Sequence, residues 1–242
     1  MTALNHPERI LFLDIETVSQ HPSFDALPSK WKELWAKKSF RLQPNAVPAD
    51  TYHKAGIYSE FGKIVCICAG RYDCQKQTLS IITFNDGDEA ELLREFSNWI
   101  KNTLNGNIIL AAHNGREFDF PWIARRMLVH GIQHPSVLKL MGKKAWDIQC
   151  LDTLDYWKCG DYKNYTSLQL LAECMGVKSA KSNMEGSDIH EQYWIHQNLK
   201  EISSYCAEDV EILAQIILKW ALFPNLRKVI HLNNPNQTRN GI

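Results

Sequence analysis

The sequence predicts an α/β fold, a mixed sheet of five strands flanked by helices, on two kinds of observation. Short apolar runs, residues 10–15 and Ile108–Ala112 among them, have the length of strands covered on both faces. Between and after them lie stretches with apolar residues at helical spacing, such as Leu92, Leu93, Phe96, Trp99 and Ile100.

Taken in order, the first strand ends in Asp14 and Glu16. Residues 21–61 carry Pro22, Pro28, Pro44 and Pro48, with helix-like stretches around Lys30–Lys38 and Asp50–Tyr58. They read as an excursion between the first two strands, not as a separate domain. Lys63–Arg71 and Gln77–Phe84 read as a hairpin turning at Tyr72–Lys76. Asn85 to Asp88 ends the second of these and caps a helix running to about Lys101. Asn105-Gly106-Asn107 is a turn before the fourth strand, Ile108–Ala112. A helix follows from about Phe120 to His130, with Pro121 in its first turn and Gly131 beyond its end. A loop at 132–145 leads to a fifth strand at Trp146–Leu151. Helices are expected at Thr166–Met175, Asp188–His196 and Lys200–Trp220, with a polar loop at 178–187. One domain is expected over 1–224, and 225–242, rich in Asn, reads as a loose tail.

Length and composition bound the function. The 242 residues suffice for a sizeable core, and 45% hydrophobic and 22% charged residues are ordinary for a soluble globular protein. The 27 basic and 27 acidic side chains balance, so nucleic acid would have to be held by local patches or bound metal. No apolar run is long enough to span a bilayer. Residues 1–9 lack a signal-peptide pattern, and the seven cysteines include no CxxC pair. Reduced, buried thiols and a cytoplasmic location are the expectation.

Four acids stand where apolar residues would be easier. Asp14 and Glu16 are two apart on a strand and so share a face. A strand-end Asp with a surface Glu would give the same string, and D-x-E alone is a weak signal. Asp119 stands between Phe118 and Phe120 at a helix start, where an N-cap is the plain alternative. Tyr205 and Asp209 share a helix face, and Asp209 falls among Ile202, Leu213 and Ile216. A boundary Asp paired with a lysine or arginine is its plain alternative. Asn114 either holds its loop or reaches a nucleotide, and His113 reads as a packed, hydrogen-bonded residue. Carboxylates gathered this way repel one another unless divalent cations lie between them.

Read together, ILFLDIET, HNGREFDF and YCAEDVEIL resemble the three motifs of the DEDD superfamily of 3′–5′ exonucleases, in its tyrosine (DEDDy) branch. Thr17 matches the Thr that follows D-x-E, Asn114 to Asp119 matches N-x3-F-D, and Tyr205-x3-Asp209 matches the tyrosine form. With Thr166-Ser167-Leu168, Leu171, Gly176 and Gly186-Ser187-Asp188 leading to Tyr193, the chain looks most like a stand-alone relative of the proofreading domain of family B DNA polymerases, over about 9–220. The resemblance implies a three-layer, ribonuclease H-like fold with strand order 3-2-1-4-5. It implies two Mg²⁺ or Mn²⁺ ions, one held by Asp14, Glu16 and Asp209 and one by Asp14 and Asp119. One ion would activate a water for attack on the terminal phosphodiester, the other would stabilise the departing 3′ oxygen, and Tyr205 would orient the water. Thr17, Asn114 and Phe118 are the candidates for substrate contact, with core packing the plainer use of Phe118.

Asp152 and Asp155 read as structural. Lys143, Lys144, Arg125 and Arg126 are candidates for phosphate contact, with solvated surface charge as the default. Phe118, Trp122 and Tyr165 are candidates for stacking on a base, and Lys181 lies in a loop that could approach the site. The expected function is metal-dependent 3′–5′ exonuclease action on single-stranded DNA with release of nucleoside 5′-monophosphates. The alternatives are an exoribonuclease of the same chemistry, a non-catalytic nucleic-acid-binding module, and a hydrolase of free nucleotides.

Overall fold

The structure, a computed structural model, describes residues 6–103, 108–161, 163, 165–177, 184–221, 226–232 and 234. The expected turn at 105–107 and Lys181 lie outside the described residues.

The sheet has six strands. They are β1 (Ile10–Ser19), β2 (Gly62–Asp73), β3 (Thr78–Phe84), β4 (Ile109–Ala112), β5 (Cys150–Asp152) and β6 (Lys228–Leu232), in the order β5-β4-β1-β2-β3-β6. The 3-2-1-4-5 core is as expected. β1, β4 and β5 run parallel, while β2 is antiparallel to both β1 and β3. β6 is the addition. It pairs in parallel with the free edge of β3, Leu79 opposite Val229, within the segment that read as a loose tail. Its side chains are exposed or half-buried, so its own pattern carries little strand signal. The partner edge makes it a strand, by accepting and supplying ladder bonds. β5 is shorter than expected, because Ala145–Asp147 forms a 3-10 turn and leaves Trp146 exposed.

The helices are α1 (Ser29–Leu42), α2 (Pro48–Thr51), α3 (Glu89–Thr103), α4 (Asp119–Val129), α5 (Thr153–Lys158), α6 (Leu168–Met175), α7 (Ile189–Trp194) and α8 (Leu199–Trp220). Their ends follow local chemistry. Asp88 accepts the N–H groups of Ala90 and Glu91 at 2.7 and 3.2 Å, and Ser167 accepts that of Leu170 at 3.2 Å. Gly176 ends α6 at φ +62°. No helix among the described residues is long and apolar enough to cross a membrane.

Alternation on β1 divides the core. Leu11, Leu13 and Ile15 pack with Leu92, Leu93 and Phe96 of α3 and with Phe120, Ile123 and Met127 of α4. Ile10 and Phe12 face the other way, toward Cys206, Val210, Leu213 and Ile217 of α8. The α3–α4 layer is locked to β2 by one buried carboxylate. Glu89 accepts the backbone N–H of Ile64 at 2.7 Å, Nε and Nη2 of Arg126 at 2.9 and 2.6 Å, and Nε2–H of His130 at 2.8 Å. Arg126, a candidate for phosphate contact on sequence grounds, is thus buried in a bidentate pair and faces no solvent.

Residues 21–61 hold a small core of their own, Leu27, Trp35, Tyr52, Ala55 and Phe61. It is tied to the sheet layer where Thr17 Oγ1 donates to Gly56 O at 2.8 Å and Trp122 Nε1 to Ile57 O at 3.2 Å.

Candidate active site

The even-numbered face of β1 changes character along its length. Ile10 and Phe12 are apolar and fully buried, while Asp14 and Glu16 continue the same face as acids. Asp14 is half-buried and Glu16 is buried. The register breaks after Glu16, where β1 carries an irregularity against β2. α8 crosses this face and presents Tyr205 and Asp209, both half-buried, one turn apart.

Asp119 comes from the other side of the sheet layer. β4 ends at Ala112, and a tight turn leads to α4. Asn114 sits at φ +61°, and its carbonyl accepts the N–H groups of Glu117 and Phe118. Gly115 is required there, since a Cβ would collide with that of Ala112. Asp119 is the first residue of α4 and makes no N-cap bond, in contrast to the capping alternative. Its carboxylate instead lies against its own backbone N–H and that of Ile15, between Asp14 and Glu16, both of which favour its charged form. Strand pairing of β1 with β4 stops at Phe12 and Ala111, so the second motif satisfies backbone beyond the end of β4.

The four carboxylates therefore lie near enough for their charges to act on one another. Burial, then the charges of Glu16, Asp209 and Asp119, hold the Asp14 carboxyl well above the usual range. Burial, then Asp209 and Asp119, does the same to Glu16. Burial pushes Asp119 up to about 7, against the backbone bonds that favour its charged form. Burial also pushes Asp209 up to about 7, although the Tyr205 hydroxyl donates to it. Burial and the neighbouring carboxylates push the Tyr205 hydroxyl upward as well.

This cluster fits divalent cations. Asp14 Oδ2 is buried and has no hydrogen-bond partner, a costly arrangement that a ligand would relieve. One carboxylate oxygen each from Asp14 and Glu16 and the sulfur of Cys206 lie within 4.8 Å of one another. The four carboxylates are hard oxygen donors of the kind that hold Mg²⁺ or Mn²⁺.

The sequence matches, over residues 57–225, the family described as predicted 3′–5′ exonucleases related to the exonuclease domain of PolB. The chain belongs to this family. Asp119, Tyr205 and Asp209 lie inside the matched stretch of the exonuclease family, whereas Asp14 and Glu16 precede it. The fold reaches further. The solved family B DNA polymerase of the hyperthermophilic archaeon Pyrobaculum calidifontis is similar with a TM-score of 0.52 at 16% identity, over 89% of this chain and 25% of that one. At this identity the likeness is one of fold, and the chain spans a quarter of the polymerase's length. No curated protein matches the sequence.

The remaining candidates of this family member divide. Thr17 spends its hydroxyl on Gly56 O. Phe118 packs against Trp122, ring centroids 5.9 Å apart, on the α3–α4 side of the sheet. Trp122 is buried. Tyr165 is 70% exposed, its ring 6.5 Å from that of His113. His113 is hydrogen-bonded, as expected. Its Nε2–H donates to Thr166 O at 2.8 Å, which leaves Nδ1 to accept from the Thr153 hydroxyl at 2.8 Å. Lys144 lies over Trp146, Nζ 5.2 Å from the ring centre.

Asp152 has a larger part than its sequence suggests. Oδ1 accepts the N–H groups of Asn114 at 2.9 Å and Leu154 at 3.0 Å, and Oδ2 accepts that of Arg116 at 3.0 Å. It caps α5 and fixes the loop that carries Asn114 and leads to Asp119. Its place just after the expected fifth strand fits a cap, but α5 is not among the expected helices, and the reach across to 114–116 is tertiary.

Proposed function

We propose that this protein is a metal-dependent 3′–5′ exonuclease that removes nucleoside 5′-monophosphates from single-stranded DNA. The observation that carries the proposal is that Asp14 and Glu16 stand together at a buried, unpartnered Asp14 oxygen, with Asp119 and Asp209, from two other segments, near enough for their charges to act on both. A charge cluster of this kind is costly in a folded core unless it has a use.

Asp14, Glu16 and Asp209 would hold one cation, and Asp14 with Asp119 a second. The ions supply acidification of a water and neutralisation of charge on the departing 3′ oxygen. The protein's own groups position the rest. Asp119 faces the Ile15 N–H, so its carboxylate stands near Asp14 and Glu16 before substrate arrives. Tyr205 donates to Asp209, which leaves its oxygen lone pairs free to accept from the attacking water and orient it. Its raised pKa keeps the hydroxyl protonated, so it acts by orientation and not as a general base. The exposed ring of Tyr165, near His113 at the end of β4, is available to stack on a terminal base. The seven free cysteines support a reducing, cytoplasmic setting.

The test uses 5′-labelled single strands of DNA and RNA of one sequence, with Mg²⁺ or Mn²⁺. A ladder shortening from the 3′ end, absent with EDTA and in Asp14→Ala, is the expected result, with DNA the better substrate. Faster shortening of RNA would reassign the sugar, and binding without cleavage of either strand would overturn the enzyme reading.

A further inference from the structure

A second kind of ligand stands beside the carboxylates. Cys66 and Cys68 alternate on β2, so both face α8, and Cys206 of α8 meets them. All three are buried, free thiols. The sulfurs of Cys66 and Cys68 are 3.9 Å apart, and all three sulfurs lie within 4.8 Å of one another. Around Zn²⁺, with Zn–S bonds of about 2.3 Å, the corners of a tetrahedron are separated by about 3.8 Å. The Cys66–Cys68 pair is therefore spaced as two corners of a thiolate site, with Cys206 near enough to supply a third.

The strand register joins this trio to the acids. Cys68 lies opposite Asp14, and Cys66 opposite Glu16. Cys206 Sγ donates to the Asp14 carbonyl at 3.4 Å, and it lies within 4.8 Å of a carboxylate oxygen of Asp14 and of Glu16. Asp14 Oδ2, buried and without a partner, belongs to the acidic group that shares Cys206 with the trio. The thiols have only weak bonds to lose. Cys66 reaches Ser203 Oγ at 3.8 Å, and Cys68 lies 3.3 Å from Thr83 Oγ1.

We propose that Cys66, Cys68 and Cys206 form a site for a thiophilic divalent cation of the Zn²⁺ class, on the flank of the carboxylates. Ligand softness separates it from the carboxylate cluster. Thiolates select Zn²⁺ and its heavier relatives, whereas carboxylates suit Mg²⁺ and Mn²⁺. Entry is from the carboxylate side, where Tyr205 and Asp209 are only half-buried. Because Cys206 also lies within 4.8 Å of a carboxylate oxygen of Asp14 and of Glu16, a cation held by the sulfurs would stand beside the oxygen site. The site itself does not depend on nuclease activity, so it stands or falls separately from that reading.

The experiment is a Cd²⁺ titration of the reduced full-length chain in excess Mg²⁺, read by the ultraviolet sulfur-to-cadmium charge-transfer band. Cys74, Cys150, Cys159 and Cys174 are first replaced by Ser, which leaves only the trio. The expected result is saturation at one Cd²⁺ per chain, reversal by Zn²⁺, and binding weakened at least ~10-fold by a further Cys206→Ser. Circular dichroism verifies folding of each variant, and Cys66→Ser replaces Cys206→Ser if the latter does not fold. Absence of the band in the folded four-Ser chain, or a band unchanged by removal of a trio cysteine, would overturn the proposal.

Discussion

The Asp119 carboxylate lies against the backbone N–H of Ile15, the residue between Asp14 and Glu16, which favours its charged form. The second acidic segment is thereby clamped to the first at the point where β1 has outrun its pairing with β4. Asp119 thus has two parts, one as a charge in the cluster and one as an acceptor that steadies the strand. Asp119→Asn keeps an acceptor for the Ile15 N–H but removes the charge. It is expected to fold normally and to lose roughly 10²-fold or more in nuclease turnover, the scale of removing one preorganised electrostatic group. Asp119→Ala should lose both turnover and thermal stability. Comparison of melting temperature and rate for the two variants separates the roles.

The raised carboxyl pKa values predict how stability depends on pH. Asp119 and Asp209 titrate at about 7 in the folded protein, against 3.8 as the ordinary value. Between those limits the folded state holds protons that the unfolded chain has released. Metal-free stability therefore falls as pH rises through this window, which is the sign expected when folding takes up protons. Divalent cations compete with those protons and favour the charged carboxylates. Melting scans in EDTA should show a decline from about pH 5 to pH 8. Mg²⁺ or Mn²⁺ should raise the melting temperature more at pH 8 than at pH 5. A Mg²⁺ effect independent of pH would count against the carboxylate site.

Tyr205→Phe keeps the ring packed against α8's neighbours and removes only the hydroxyl. Turnover is expected to fall by about 10- to 100-fold, less than for loss of a carboxylate, since orientation and not proton abstraction is lost. The pH–rate profile should keep its shape, because the hydroxyl stays protonated throughout the working range. A lost alkaline limb would show instead that Tyr205 ionises during the reaction.

Arg126→Met tests the lock between α3, α4 and β2. It leaves Glu89 buried with its bidentate partner gone. Breaking such a pair from one side costs about 3–5 kcal/mol, measurable by urea denaturation. Arg126→Met with Glu89→Gln should recover part of that loss, since the buried charge is then removed from both sides.

Asp152→Ala removes the acceptor for the N–H groups of Asn114, Arg116 and Leu154 at once. Each orphaned buried donor costs about 1–3 kcal/mol, so local exchange of the 114–116 amides should accelerate. Substrate affinity and turnover should both drop if the loop is what places Asp119.

Much of this protein was determined by sequence alone. Alternation placed Asp14 and Glu16 on one face of β1, and the helical repeat placed Tyr205 and Asp209 on one face of α8, because both periods are properties of the backbone. The capped start of α3 and the β2–β3 hairpin were legible for the same reason, since caps and turns are satisfied within a few residues. The meeting of the three segments was reached in the sequence only through resemblance, and tertiary structure decided its form. Pairing of distant strands set Asp119 against Ile15, packing buried Arg126 against Glu89, and the free edge of β3 made Lys228–Leu232 a strand. The sulfur trio beside Asp14 has the same origin. Cys66 and Cys68 lie within the expected strand Lys63–Arg71, and only the packing of α8 brings Cys206 to them, because non-local contacts depend on how whole elements pack and leave no periodic mark in the chain.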